Sequence, residues 1–189
     1  MADLANIDEL ATMTRMPATD ARLVAALRRA SDRFTAACEH RDGDGNYCLL
    51  LVTDDEVRVS GRGTDTLLLP SAPVRAVASV RVGGQLLQPA EYQVGSRIGV
   101  LRRVNGTWPD GLENIEVTYT HGYPADKVPG DISDAVLEHA ATLATSSAHV
   151  QQESAMSKSA GYFAAAMVGT TQKWVDAVDR HSLNRGDQA

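Results

Sequence analysis

The chain has 189 residues and carries 24 Asp and Glu against 18 Lys and Arg, a formal net charge of −6. That length suits one domain with a buried core and appended arms. The acidic balance argues against a protein that grips duplex DNA through a basic face, the average apolar content argues against wholesale disorder, and no apolar run approaches the roughly 18 to 20 residues that cross a bilayer.

The opening stretch, MADLANIDEL, has acids but neither a basic n-region nor an apolar h-region, so no secretory leader is expected. Residues 6–15 read as a short helix in which Asn6 caps the start, Glu9 answers as in a capping box, and Ile7, Leu10 and Ala11 form the apolar side. Pro17 interrupts it. A longer helix follows over 20–40 with Thr19 as its expected cap, because Leu23, Leu27, Ala30 and Phe34 recur at helical spacing while Arg28, Arg29, Asp32 and Arg33 occupy the other side. The polar run at 41–46 ends it.

From there the period changes. Short β-branched or alternating runs at 49–52, 56–60, 66–69, 76–82, 91–94, 98–104 and 114–120 are separated by Gly, Pro, Asn and Asp, which predicts an antiparallel β unit over 48–120. Gly83 and Gly84 mark a two-residue hairpin. Asn105 and Gly106 have the same turn chemistry, although Trp108 and Pro109 restrict the return strand. Helix resumes at 131–147, with Asp131 as its expected cap and Ile132, Val136, Ala140, Leu143 and Ala144 as its stripe. Residues 149–161 are polar and aperiodic, which predicts an exposed arm. Residues 162–168, from Tyr162 to Val168, are a bounded apolar run, and a last amphipathic helix is expected over about 171–181. The predicted class is α+β: a mainly helical body over 1–148 with a small antiparallel β unit inserted between helices, followed by a C-terminal arm and helix over 149–189.

No group of residues is patterned for bond-making chemistry. Asp42, Asp44 and Asn46 imitate the start of a calcium loop, but Tyr47 stands where the sharp turn needs Gly and Thr53 where a bidentate Glu is required. GlyArgGly at 61–63 lacks the lysine of a phosphate loop. The five histidines never pair at i and i+4, Cys38 and Cys48 read as small reduced hydrophobes, and no serine elbow occurs. His121, at a strand end before Gly122, is the most active-looking side chain, yet no acid or nucleophile is marked as its partner. Neither metal nor cofactor is expected. Tyr162, Phe163, Met167, Val168, Trp174, Val175, Val178 and His181 have two readings, packing on the parent core or docking a protein partner, since they follow an arm and include aromatic anchors.

Three runs then carry a resemblance: LLLPSAPVRAVASVRVGG at 67–84, YQVGSRIGVLRRVNGTWP at 92–109, and IEVTYTHGY at 115–123 followed by PGDI at 129–132. In this order and spacing, behind a short and a longer helix, the chain over 19–148 resembles the head-tail connector (adaptor) family of long-tailed bacteriophages. The resemblance implies a structural virion protein and not an enzyme. It implies a homo-oligomeric ring, typically twelvefold, beneath the portal protein and above a stopper or tail-completion protein, with genomic DNA passing through the lumen without specific binding and no membrane involved. Its place would be the head-tail junction of the virion, and the host cytoplasm during assembly. It also implies that the C-terminal segment, Tyr162 to His181, meets the portal, although residues from Gln151 onward depart from the family pattern. An acidic lumen would let DNA slide, because it offers no counterion-releasing contacts. The competing readings are a stopper or tail-terminator subunit, which the two-helix N-terminus disfavours, and a small cytosolic ligand-binding domain or hydrolase using His121.

Overall fold

The computed structural model describes residues 3–145 and 171–183. They form two compact units, one from Met1–Ala37 with Val128–His181 and one from Cys38–Lys127 with Ser182–Ala189.

The first unit is helical. Helix α1 (Ile7–Thr14) is capped by Asn6, whose side chain accepts from the Asp8 amide, satisfying one of the donors every helix leaves open at its start. Helix α2 (Ala21–Cys38) begins one residue later than Thr19 could cap. Asp20 holds that place instead, its carboxylate accepting from the Arg22 amide at 2.9 Å and its carbonyl from Leu23 and Val24. Leu23, Leu27, Ala30 and Phe34 are buried along the inner side of α2 as their spacing predicts. Each fully buried leucine there is worth about 2 kcal/mol over an exposed one. Leu4 is pinned between helices, its amide donating to Ser31 Oγ and its carbonyl accepting from Ser133 Oγ. Helix α3 (Gly130–Thr145) starts before Asp131, so the carbonyl of Pro129 caps it and Asp131 falls in the first turn. Ile132, Ala135, Val136, His139 and Ala140 form its buried stripe, while Leu143 and Ala144 are half-buried. Helix α4 (Gln172–His181) packs on α3.

The second unit is built from seven strands: β1 (Val52–Gly61), β2 (Thr66–Leu68), β3 (Val74–Val82), β4 (Gln85–Leu86), β5 (Tyr92–Gly95), β6 (Val100–Arg103) and β7 (Gly111–His121). They make a four-stranded sheet in the order β1-β7-β3-β4 and a three-stranded sheet in the order β2-β6-β5, with all pairs antiparallel. Side chains alternate across a strand, so β7 buries Ile115, Val117, Tyr119 and His121 at every second position. Ile115, Val117 and Tyr119 cluster with Val57 and Val80 of their own sheet and Leu67, Tyr92 and Leu101 of the other, with Trp108 fully buried among them.

This arrangement corrects the expectation of a mainly helical body. Among the described residues there are seven strands beside four α-helices. The β runs are not an insert resting on a helical core; each sheet buries one face against the other, which gives the strands a core of their own. The Gly83-Gly84 hairpin forms as expected, joining β3 to β4 with φ of +55° and +80° and open space around both residues. Asn105 and Gly106 turn the chain without making a hairpin, because β6 and β7 belong to different sheets. The run at 49–51 is not a strand and is tied in by a parallel bridge between Leu50 and Tyr123. The expected arm at 149–161, and Tyr162, Phe163, Met167 and Val168, lie outside the described residues.

Candidate functional site

His121 is placed by the inward register of β7 and is 1% exposed. Its Nε2 stands 2.9 Å from Asp55 Oδ2, and both Asp55 oxygens accept from the Gly43 amide at 3.0 Å. The imidazole lies 4.7 Å from the Tyr119 ring, tilted by 34°. Sequence reading did not mark Asp55 as its partner, because 66 residues separate the two and only the β1–β7 register brings them together. A His with a carboxylate partner has the parts of a general base, but such a base must reach the proton it takes. Here the imidazole is buried, and through the Gly43 amide the pair ties the 41–47 loop to the sheet.

Burial also works against thiolate formation at the two cysteines. Burial pushes the Cys38 thiol up to about 12, and burial raises Cys48 as well, against the opposing hydrogen bond from Ser71; a thiol so shifted holds almost no nucleophilic thiolate at neutral pH. Asp42 uses its carboxylate to accept from the Asp44 and Asn46 amides at 3.1 and 2.7 Å, so the calcium-like residues close an Asx turn. Among the described residues, no three His, Cys, Asp or Glu side chains stand close enough together to hold a metal ion. Nor is any helix among them long and apolar enough to cross a membrane.

On α4 the candidate interface residues separate. Trp174 is buried, edge-on to Phe34 with centroids 5.0 Å apart, and 4.6 Å from the His139 ring. Val178 and His181 are half-buried on the same side. Thr171 Oγ1 caps α4 from in front by accepting the Trp174 amide. Lys173 pairs with Glu138, and Arg180 Nη1 and His181 Nε2 reach the same Asp131 oxygen at 2.5 and 3.0 Å. Burial alone would raise the Asp131 carboxyl, but the hydrogen bonds from His181 and Arg180 outweigh it and hold the group below the ordinary carboxylate range. Val175 turns away from this contact and is 42% exposed.

Residues 3–139 match the family model described as head completion protein. The chain belongs to the head completion protein family. The match takes in α1, α2, both sheets and the first part of α3. Among solved structures, this head completion protein is similar to a chain of "Neck of empty GTA particle computed with C6 symmetry", at 20% identity and a TM-score of 0.50 over 73% of this chain and 76% of that one. It is also similar to a chain of "Neck of native GTA particle computed with C12 symmetry", at 16% identity and a TM-score of 0.48 over 82% of this chain and 79% of that one. No curated protein matches it.

One feature of the head completion protein was visible in sequence only as the polar side of a helix. Ala25, Arg28, Arg29, Asp32, Arg33 and Ala36 line a shallow, open depression of about 440 Å³ along α2. Arg33 donates toward His139 Nε2 at 3.2 Å, whereas Arg28 and Arg29 have no carboxylate within ion-pair distance among the described residues. Helix α2 holds four arginines and one aspartate, a net +3, so the rest of the chain, with 14 Lys and Arg against 23 Asp and Glu, carries −9.

Proposed function

We propose that this head completion protein is the head-to-tail adaptor: a structural subunit that forms a ring beneath the portal, joins capsid to tail and lets genomic DNA pass. The observation that carries the reading is the family match over 3–139, which spans nearly all of the described fold. The neck of the empty GTA particle, which shares the fold at a TM-score of 0.50, was computed with C6 symmetry, and that supports a ring here. A non-catalytic role is favoured by the side chains themselves, because the imidazole of the His–Asp pair is buried and burial raises both thiols. The place of action in this reading is the head-tail junction of the virion, after assembly in the host cytoplasm. The C-terminal region 149–189 serves as the arm and docking segment toward the portal, with Tyr162, Phe163, Met167 and Val168 as its apolar anchors. A stopper or tail-completion protein closes the other side.

Electron microscopy of the purified protein, alone and mixed with a portal ring, tests this. The expected result is a closed ring stacked coaxially on the portal, with more Asp and Glu than Lys and Arg facing the channel. A protein that stays monomeric in both samples and leaves the portal bare would overturn it.

A further inference from the structure

Asn105 and Gly106 lie in the turn that leads from β6 to Trp108, and both are exposed. Among the described residues an Asp or Asn precedes a glycine at three other places, Asp42-Gly43, Asp44-Gly45 and Asp110-Gly111. The fold treats those three differently. The Gly43 amide donates to both Asp55 oxygens and the Gly45 amide to the Asp42 carbonyl, while Gly111 stands in β7 opposite Gly61 of β1. Among the described residues the Gly106 amide donates to no group, and the Asn105 side chain makes no hydrogen bond. The other described asparagines are all held: Asn6 Oδ1 accepts from the Asp8 amide, Asn46 Nδ2 donates to Asp42 Oδ2, and Asn114 accepts from the Gly61 amide and donates to the Pro109 carbonyl. Gly106 has φ +84°, and nothing stands within 4 Å of where a Cβ would be. Neither a side chain of its own nor a packed neighbour guards its nitrogen.

A free side-chain amide beside an unguarded backbone nitrogen has a reaction open to it. We propose that Asn105 is a modification site at which the chain deamidates itself through a cyclic imide. The Gly106 nitrogen attacks Asn105 Cγ. The new C–N bond forms as the Cγ–Nδ2 bond breaks, and ammonia leaves with the proton that the Gly106 amide gives up. Water then opens the ring at either carbonyl: opening at Cγ leaves aspartate, and opening at the main-chain carbonyl leaves isoaspartate, whose backbone runs through Cγ. The sum is asparagine plus water giving an acid plus ammonia, with no oxidant, reductant or second protein. An amide that is already hydrogen-bonded gives up its proton less readily, which keeps Gly43 and Gly45 out of the same chemistry. The product is a carboxylate at neutral pH, so each event takes the formal charge from −6 to −7. The turn has room for the lengthened isoaspartate backbone. Gly106 faces open space, and beyond it Trp108 is anchored by Nε1 to the Leu101 carbonyl at 3.3 Å and by its amide to the Thr64 carbonyl at 2.7 Å.

The test uses the full chain, held for days at neutral pH and physiological temperature in ammonium-free buffer. Ion exchange separates an acidic form, and peptide mapping with fragmentation mass spectrometry places the change and tells aspartate from isoaspartate. The expected result is one acidic form that grows with first-order kinetics and carries both products at position 105. Loss of the amide there is expected to be at least about tenfold faster than at Asn6, Asn46 or Asn114, whose next residues are β-branched or aromatic and not glycine. Asn105→Gln should lack the acidic form while keeping the circular dichroism and urea midpoint of the wild type, because the side chain it replaces bonds nothing in the fold. Retention of the Asn105 amide in the folded chain, while the same chain deamidates once unfolded in urea, would show that the fold guards the turn and would overturn the assignment. A first change at another asparagine, or an acidic form that persists in Asn105→Gln, would overturn it as well. Aspartate without isoaspartate would remove the cyclic step, since direct hydrolysis of the amide gives aspartate alone.

Discussion

His121 looked like a reactive residue because of its position, and its neighbours give it a different role. It continues the inward alternation of β7, so its ring was bound to be buried once that strand was paired on both sides. The alternation was legible in sequence; the partner was not. Asp55 reaches the imidazole because a register shift in β1 between Val52 and Asp55, with Asp54 at φ +50°, sets which residues of that strand point inward. Gly122 shows the same dependence on packing. At φ +88°, a Cβ there would stand 2.4 Å from the Leu50 carbonyl oxygen, so the glycine after the histidine is required by the chain crossing beside it. Replacing His121 with Ala leaves the Asp55 carboxylate with the Gly43 amide but without the imidazole and empties a ring-sized space, which is expected to lower the unfolding free energy by about 2 to 4 kcal/mol in urea titration. Asp55→Ala should cost a similar amount, and the double variant less than the sum of the two, since the His121–Asp55 contact is then lost once and not counted twice. Strict additivity would show that the two side chains do not act as a pair.

At the scale of elements, α4 is the instructive case. Its sequence put Trp174, Val178 and His181 on one side, and the structure keeps that grouping, with Ala177 completing the buried stripe. What the stripe would pack against was not readable, because hydrophobic spacing says that a face is covered and never by what. The answer lies in Phe34 of α2 and in Asp131, Glu138 and His139 of α3, residues 35 to 140 positions away. Asp131, which sequence reading took for the α3 cap, instead holds the end of α4 through Arg180 and His181. Its carboxyl titrates below the ordinary range in the folded chain, so its contribution is complete above the unfolded-state value of 3.8 and is lost as the pH falls through the folded value. Acidification through and below about pH 4 should therefore loosen α4 ahead of its neighbours, seen as a change in Trp174 fluorescence. Asp131→Asn should abolish that acid step. A step that persists unchanged in the variant would assign it to another group.

For the molecule as a whole, the burial of both cysteines gives a report on integrity. Cys38 is buried and shifted to about 12, and Cys48 is partly buried and raised. Neither is expected to react quickly with a disulfide reagent at neutral pH until the chain unfolds, when both should react together; rapid labelling of the native protein would contradict the packing around them. The charge of −6 is likewise a whole-molecule quantity that hides a division, since α2 carries +3 and everything else −9. Read as a total, it argued only against gripping DNA. Once α2 is placed with its inner side covered, the same charges become a surface.

By itself the sequence determined the order and period of the elements, the Gly83-Gly84 turn and the family resemblance. These depend on neighbours within a turn or a strand, or on motif order, and both are written along the chain. Only the tertiary structure decided that the strands form two facing sheets with their own core, that His121 belongs to Asp55, that Asp20 and not Thr19 caps α2, and that α4 leaves Val175 and Asp176 outside. Each of these is fixed by which distant segments exclude water from one another, and burial is a property of the packed chain, not of any stretch of it.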